Sequence, residues 1–302
     1  MIKTFWSVTK VLILITILST SSLAHPGSGI AVDKLGQVYF LDTGSGLWKI
    51  DTLGRVFKIS DYRFHWLALD VNNAFEKGQL PSSAGTGLDW EILKVGANPT
   101  VLIASEWPIA VGQDGGLYYQ SGRAGNLRIV RSLESGVNSV LATLPPTTSG
   151  QPIADVNGLS SGPYGSLYYT ESNTIRRITA EGGIELVITV PALSHGPSIP
   201  STNIHPYLRG VAVDGNGIVY AADAGDARVL KISPEGKITT LLQTESPWSP
   251  TAVALHGNDV YVLEYLHTEK EVRRDWLPRV RKILPDGTSK IIMTIDQMHG
   301  AR

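Results

Sequence analysis

The sequence predicts an all-β protein, a six-bladed β-propeller of four-stranded antiparallel blades. Three observations carry that expectation. A glycine-punctuated unit recurs six times along the chain. Each copy offers short apolar runs of strand length, bounded by Gly and Asp/Asn-Gly turn signals. Beyond the N-terminal leader, no stretch has convincing helical periodicity.

The leader comes first. MIKTFWSVTKVLILITILSTSSLA places Lys3 and Lys10 ahead of an apolar run from Val11 to Leu18, then Ser22-Leu23-Ala24 as a small–x–small cleavage pattern. The run is short for a bilayer span, so residues 1–24 read as a signal peptide and the product as secreted or periplasmic. Residues 25–302 then form one domain. Removal of the two lysines takes the formal charge from −1 to −3, which speaks against a nucleic-acid partner, since that would need a basic face. The chain has no cysteine, which excludes disulfides, a lipid-modified cysteine and thiolate chemistry. A chain of this length can instead bury a sizeable core. No membrane association is expected after cleavage, and a monomer is expected.

The repeat is clearest in GIAVDKLGQVYFLDTGSGLWKIDTLGRV (29–56) and GVAVDGNGIVYAADAGDARVLKISPEGKI (210–238). Asp33, Gly36, Tyr39 and Asp42 match Asp214, Gly217, Tyr220 and Asp223 at a constant offset of 181. Further copies are PIAVGQDGGLYYQSG (108–122), NGLSSGPYGSLYYTES (157–172) and TAVALHGNDVYVLEY (251–265) with VRKILPDGT (280–288). The most divergent is HWLALDVNNAF (65–75) with WEILKVG (90–96). Six units of about 45 residues match the period of propeller blades around a central channel. A β-sandwich would not require a sixfold repeat.

With inner strands lining the channel, the residue three positions before Ala31 and before its counterparts heads each inner strand. These are Ser28, His65, Trp107, Asn157 and Arg209, with Ser249 or Pro250 in blade six. An imidazole, an indole, an amide and a guanidinium are thereby expected to converge on one end of the channel. A structural histidine or a tryptophan plug would account for two of them. An arginine at the axis requires a partner or a ligand, because burying its charge alone is costly. The longest insertions, 77–89, 191–207 and 265–278, fall on the same face and are expected to cover it. The last brings His267, Arg273, Arg274 and Trp276 as a candidate rim, with Trp248 near in sequence. Asp42, Glu171, Asp223 and Glu264 recur at the ends of the second strands. That recurrence favours a structural role, accepting N–H groups of the adjacent turns, with Glu264 as a candidate general base.

The copies resemble NHL repeats, and the mature chain resembles the six-bladed superfamily of gluconolactonase-like, strictosidine-synthase-like and arylesterase-like proteins. That resemblance implies the fold but covers hydrolases, lyases and binding modules alike. The gluconolactonase-like members hold a divalent cation with a first-blade glutamate, an N-G-L asparagine and a later aspartate. This sequence keeps Asn157-Gly158-Leu159, but Ser28 or Gly29 matches the glutamate and Arg209-Gly210 falls at the aspartate. A ring without a carboxylate suits calcium poorly. Amidating-lyase propellers place zinc-binding histidines where His65 stands, with His25, His205 and His267 as further candidates, a weaker alternative. No G-x-S-x-G elbow, HEXXH or Walker motif occurs.

The sequence therefore points to an exported propeller binding a small polar or anionic ligand at the channel mouth. Trp107, Asn157, Arg209, His267 and Trp276 are its expected binding groups, with no metal or cofactor. The alternative is a lactonase-, esterase- or lyase-type enzyme, with His65 and Glu264 as acid/base groups and Arg209 stabilising negative charge.

Overall fold

The structure is a computed structural model describing residues 27–77, 80, 90–96, 99–122, 126–145, 156–193, 207–266 and 277–295. The predicted leader therefore lies outside the described residues. Within them, no helix is long and apolar enough to cross a membrane.

Blade one holds β1 (Ile30–Val32), β2 (Val38–Asp42), β3 (Gly46–Ile50) and β4 (Val56–Ser60). Blade two holds β5 (Trp66–Asp70), β6 (Trp90–Val95) and β7 (Thr100–Ser105). Blade three follows with β8 (Ile109–Val111), β9 (Leu117–Ser121), β10 (Arg128–Ser132) and β11 (Asn138–Thr143). Blade four contains β12 (Gly158–Ser161), β13 (Leu167–Glu171), β14 (Thr174–Ile178) and β15 (Ile184–Thr189). Blade five comprises β16 (Leu208–Val213), β17 (Val219–Asp223), β18 (Arg228–Ile232) and β19 (Ile238–Gln243). Blade six comprises β20 (Trp248–His256), β21 (Asp259–Leu266), β22 (Pro278–Ile283) and β23 (Ser289–Thr294). The inner strands touch in the cyclic order β1, β5, β8, β12, β16, β20 and back to β1, so six blades close one ring. This is the architecture that the repeats predict.

Period-two alternation explains how the blades hold together. Ile30 and Val32 of β1 pack against Ala252 and Ala254 of blade six. Ala31, between them, faces the other way, against Leu67 and Leu102 of blade two. The same division around the ring gives six apolar clusters, one in each wedge between neighbouring blades. Inner and second strands are buried on both faces and read as continuous apolar runs; β2, VYFLD, is buried at every position. Outer strands such as β4 and β11 are largely exposed. Full burial of a side chain such as Phe40 or Leu47 contributes roughly 1.5–3 kcal/mol.

The motif residues have local tasks. In the turn between β1 and β2, Asp33 Oδ1 accepts from the N–H groups of Leu35 and Gln37 at 3.0 and 2.9 Å. Asp214 does the same for Asn216 and Ile218, both at 2.9 Å. Gly36 and Gly217 close these turns at φ +81° and +79°, where a side chain would be strained. The repeated tyrosine stands opposite a repeated cation on the third strand. Lys49, Lys231 and Lys282 lie 5.7, 5.9 and 5.3 Å from the ring centroids of Tyr39, Tyr220 and Tyr261.

Among the described residues each blade is built from consecutive strands, with none exchanged between blades. Closure rests on the wedge between blades six and one, where Thr251 Oγ1 donates to the Gly27 carbonyl at 2.7 Å. Tyr265 Oη also donates there, to the Leu41 carbonyl at 2.7 Å.

Blade two is the irregular blade, as its divergent sequence suggests. Five sheets have four strands, whereas blade two has three among the described residues, in the spatial order β5-β7-β6. Trp90 pairs with Ser105 and so does Trp66, so β6 starts at the end of the channel where β5 starts. The run TVLIAS of β7 is the second strand of the blade. Its partner on one side is the inner strand, which buries it completely from Val101 to Ser105.

Candidate functional site

The repeat register fixes the ring at the channel mouth. Ala31 lies opposite Tyr39, Ala110 opposite Tyr118, Ser160 opposite Tyr168, Ala212 opposite Tyr220 and Ala254 opposite Tyr261. Counting back three residues gives Ser28, Trp107, Asn157, Arg209 and, in blade six, Thr251. This corrects the expectation of Ser249 or Pro250: the turn between β20 and β21 is one residue shorter than its counterparts, so Ala254 stands seven positions before its partner Tyr261 where Ala31 stands eight before Tyr39. Ser249 is buried and donates to the Ala224 carbonyl at 2.9 Å.

Arg209 crosses this ring. Its Nε–H donates to Ser28 Oγ at 3.1 Å. Blades five and one are not neighbours, because blade six stands between them, so the guanidinium spans the end of the channel. Arg209 is only 7 % exposed. Burial lowers its pKa from the ordinary value, and the nearby Tyr207 and Tyr265 oppose that shift; an arginine still keeps its charge under these conditions. The backbone is fixed as well, since Thr170 Oγ1 donates to the Arg209 carbonyl at 2.6 Å. Gly158 permits that approach: a Cβ there would lie 2.3 Å from the Arg209 oxygen. In the Asn157-Gly158-Leu159 motif the glycine thus serves close packing of blades four and five.

Asn157 sits beside Arg209 in the ring. Its N–H donates to the Thr170 carbonyl at 2.8 Å, and its Oδ1 accepts from Tyr207 Oη at 3.4 Å. His65 joins from the other side. Its carbonyl accepts from the Ser28 N–H at 2.7 Å, and its own N–H donates to the Ser105 carbonyl at 3.1 Å. Its Nδ1 is hydrogen-bonded to Glu106 Oε2. The strand order of blade two makes this pair: β7 lies beside β5, so the residue after β7 arrives next to the residue before β5. A carboxylate at Nδ1 favours the tautomer with its proton on Nδ1 and its lone pair on Nε2. Glu106 therefore faces His65.

Trp107 is 41 % exposed, so it does not plug the channel. Its N–H donates to Ser105 Oγ at 3.1 Å. His267 and Trp276 lie outside the described residues, as do His25, His205, Arg273, Arg274, Asp155 and most of the three expected covering insertions.

Glu264 has a different setting. Its side chain is fully buried, and its two oxygens accept from the Nε groups of Arg279 and Arg281 on β22. Arg281 is 2.9 Å from Glu264 Oε1, and Glu245 bridges both arginines from the surface at 2.9 Å. The Arg279 guanidinium stacks 4.0 Å from the Trp248 ring centroid. This is the setting of a structural ion cluster, since two buried guanidinium groups occupy both carboxylate oxygens. Asp223 is similar, accepting from Arg228 Nε at 2.8 Å and from the N–H groups of Tyr207 and Asp226 at 3.1 and 3.2 Å. Asp42 accepts from the Gly44 N–H at 3.0 Å. The recurring carboxylates thus combine the expected turn caps with cross-strand arginine pairs that the spacing did not reveal.

A divalent cation of the gluconolactonase type can be tested against this ring. None of Ser28, His65, Trp107, Asn157, Arg209 and Thr251 is a carboxylate, and the guanidinium is hydrogen-bonded to Ser28, one of the two residues that match the glutamate ligand. The donor set does not fit calcium, which takes several charged or carbonyl oxygens. Among the described residues, no group of three His, Asp or Glu side chains is arranged to hold a metal.

No family model matches the sequence, and no curated protein matches it either. Solved structures do match. A regucalcin described as a calcium-binding protein from Agrobacterium tumefaciens superposes with a TM-score of 0.53 at 17 % identity, covering 79 % of this chain and 81 % of that one. A catalytically inactive virginiamycin B lyase from Staphylococcus aureus, crystallised with quinupristin, gives 0.50 at 16 % identity, covering 90 % and 85 %. The chain has their six-bladed fold. At such identities the likeness extends to the architecture alone, and the site must be read from its own residues.

Two site features escaped the sequence reading. Glu106 is adjacent to Trp107 in the chain, but its role depends on the strand order of blade two. Tyr207 is two residues before Arg209, a same-face spacing in an extended chain, and that signal was available.

Proposed function

We propose that the protein is an exported propeller that binds a small carboxylate at the channel mouth. The single observation carrying this reading is the Arg209 guanidinium lying across the end of the channel, bonded to the neutral Ser28 hydroxyl. A cation largely removed from water attracts an anion far more strongly than an exposed one does. The neighbouring side chains favour the same ligand class: Ser28, Tyr207 and Asn157 all carry N–H or O–H donors suited to carboxylate oxygens. The ring needs no metal for this task. Export is supported by the leader-like first 24 residues.

A lyase- or lactonase-type activity at the same mouth is the second reading, and the His65–Glu106 pair favours it. A carboxylate-oriented imidazole is an effective acid/base group, and Arg209 would then stabilise developing negative charge.

Calorimetric titration of the mature protein with acetate, L-lactate, D-gluconate and benzoate, and with neutral D-glucose, tests the binding reading. At least one carboxylate should bind. At about 100 times its Kd it should stabilise the fold by about 2.7 kcal/mol, raising the melting temperature. Failure of all four carboxylates, or equal binding of glucose, overturns the reading.

A further inference from the structure

We infer that Tyr207 is a specificity-determining residue of this mouth, its phenol donating to the bound carboxylate beside Arg209. The inference rests on the carboxylate reading and deepens it.

Position is the first argument. Tyr207 stands two positions before Arg209, and its hydroxyl meets Asn157, the neighbour of Arg209 in the ring. Tyr207 remains partly exposed while Arg209 is buried, so the phenol is the more accessible of the two groups. The two groups are near enough to interact electrostatically.

Rigidity is the second. The Tyr207 N–H donates to Asp223 Oδ1 at 3.1 Å, and its carbonyl accepts from the Ala224 N–H at 2.8 Å. Asp223 is itself buried and held by Arg228 at 2.8 Å. The backbone that carries the phenol is thereby fixed from both sides, which lowers the ordering cost at binding.

The hydroxyl's own bond is the third. Tyr207 Oη meets Asn157 Oδ1 at 3.4 Å, whereas O–H···O bonds centre near 2.7–2.8 Å. So long a bond is weak and readily exchanged. Rotating the hydroxyl proton to a carboxylate oxygen gains a charge-assisted bond in its place, and it frees Asn157 to contact a second polar group of the ligand.

The test is Tyr207→Phe, which removes one oxygen and keeps the ring. Wild type and variant are titrated with acetate, L-lactate, D-gluconate and benzoate, and both are melted without ligand. Affinity for the carboxylates that bind wild type should fall about tenfold in the variant, with the ligand-free melting temperature unchanged within about a degree, as expected for loss of a long bond. Unchanged affinity in the variant overturns the role of Tyr207 and leaves the carboxylate site standing. A lower affinity accompanied by a fall of several degrees in melting temperature also overturns it, because the phenol is then structural. Wild type that binds none of the four overturns the site reading itself.

Discussion

Glu264→Gln is expected to destabilise the protein by about 3–5 kcal/mol, the usual cost of removing one partner from a buried ion pair. The wild-type carboxylate is fully buried and shared by Arg279 and Arg281, themselves only 4 % and 7 % exposed. Glutamine keeps the shape but loses the charge, and it turns an amide N–H2 toward one of two guanidinium donors. Glu245 remains as a counter-charge, but its side chain is 55 % exposed and its contribution is screened by water. For a domain of this size, the melting temperature should fall by roughly 10 °C. A second variant separates charge from packing: the pair Glu264→Leu with Arg279→Met should melt higher than Glu264→Gln, because removing both charges leaves fewer desolvated groups without partners. If Glu264 were instead the base of a reaction, Glu264→Gln would leave the melting temperature unchanged and abolish turnover.

Arg209→Met is expected to weaken binding of any carboxylate at the mouth by about tenfold to a hundredfold. A charge-assisted hydrogen bond contributes about 1.5–3 kcal/mol, which corresponds to that range. Methionine retains much of the packing volume, so the fold should persist by circular dichroism. Added salt should reduce wild-type affinity only modestly, since a buried charge is poorly screened. The rival account makes Arg209 purely structural, pairing it with a carboxylate such as Asp155. Under that account the variant would melt lower and keep its affinity. Glu106, the other candidate for that pairing, is hydrogen-bonded to His65.

Most of the architecture is legible in the sequence because a propeller writes its pattern six times. The Asp-x-x-Gly turns, the second-strand tyrosine and the third-strand cation each reappear at fixed spacing, and each has a local physical task. Local tasks survive translation from sequence to structure. The ring at Ser28, His65, Asn157 and Arg209 was legible for the same reason, since it needed only the repeat register. What escaped depends on contacts between segments distant in the chain. The order of β5, β7 and β6 departs from that of the other blades, and the meeting of His65 and Glu106 follows from it. Thr251 was missed because the turn between β20 and β21 is one residue shorter than in the other blades, which displaced the count. For Glu264, the position in the repeat correctly suggested structure, but the two arginines that occupy it lie on a later strand, beyond the reach of turn chemistry.

The central claim is that the mouth between Ser28, Asn157, Tyr207 and Arg209 receives a carboxylate. The most direct measurement is a crystal structure of the mature protein grown with whichever of acetate, L-lactate, D-gluconate or benzoate binds most tightly in calorimetry. The account predicts ligand density at the mouth, with one carboxylate oxygen within hydrogen-bond distance of the Arg209 guanidinium and of Tyr207 Oη. A ligand bound anywhere else, or one at the mouth whose carboxylate points away from Arg209, would contradict it.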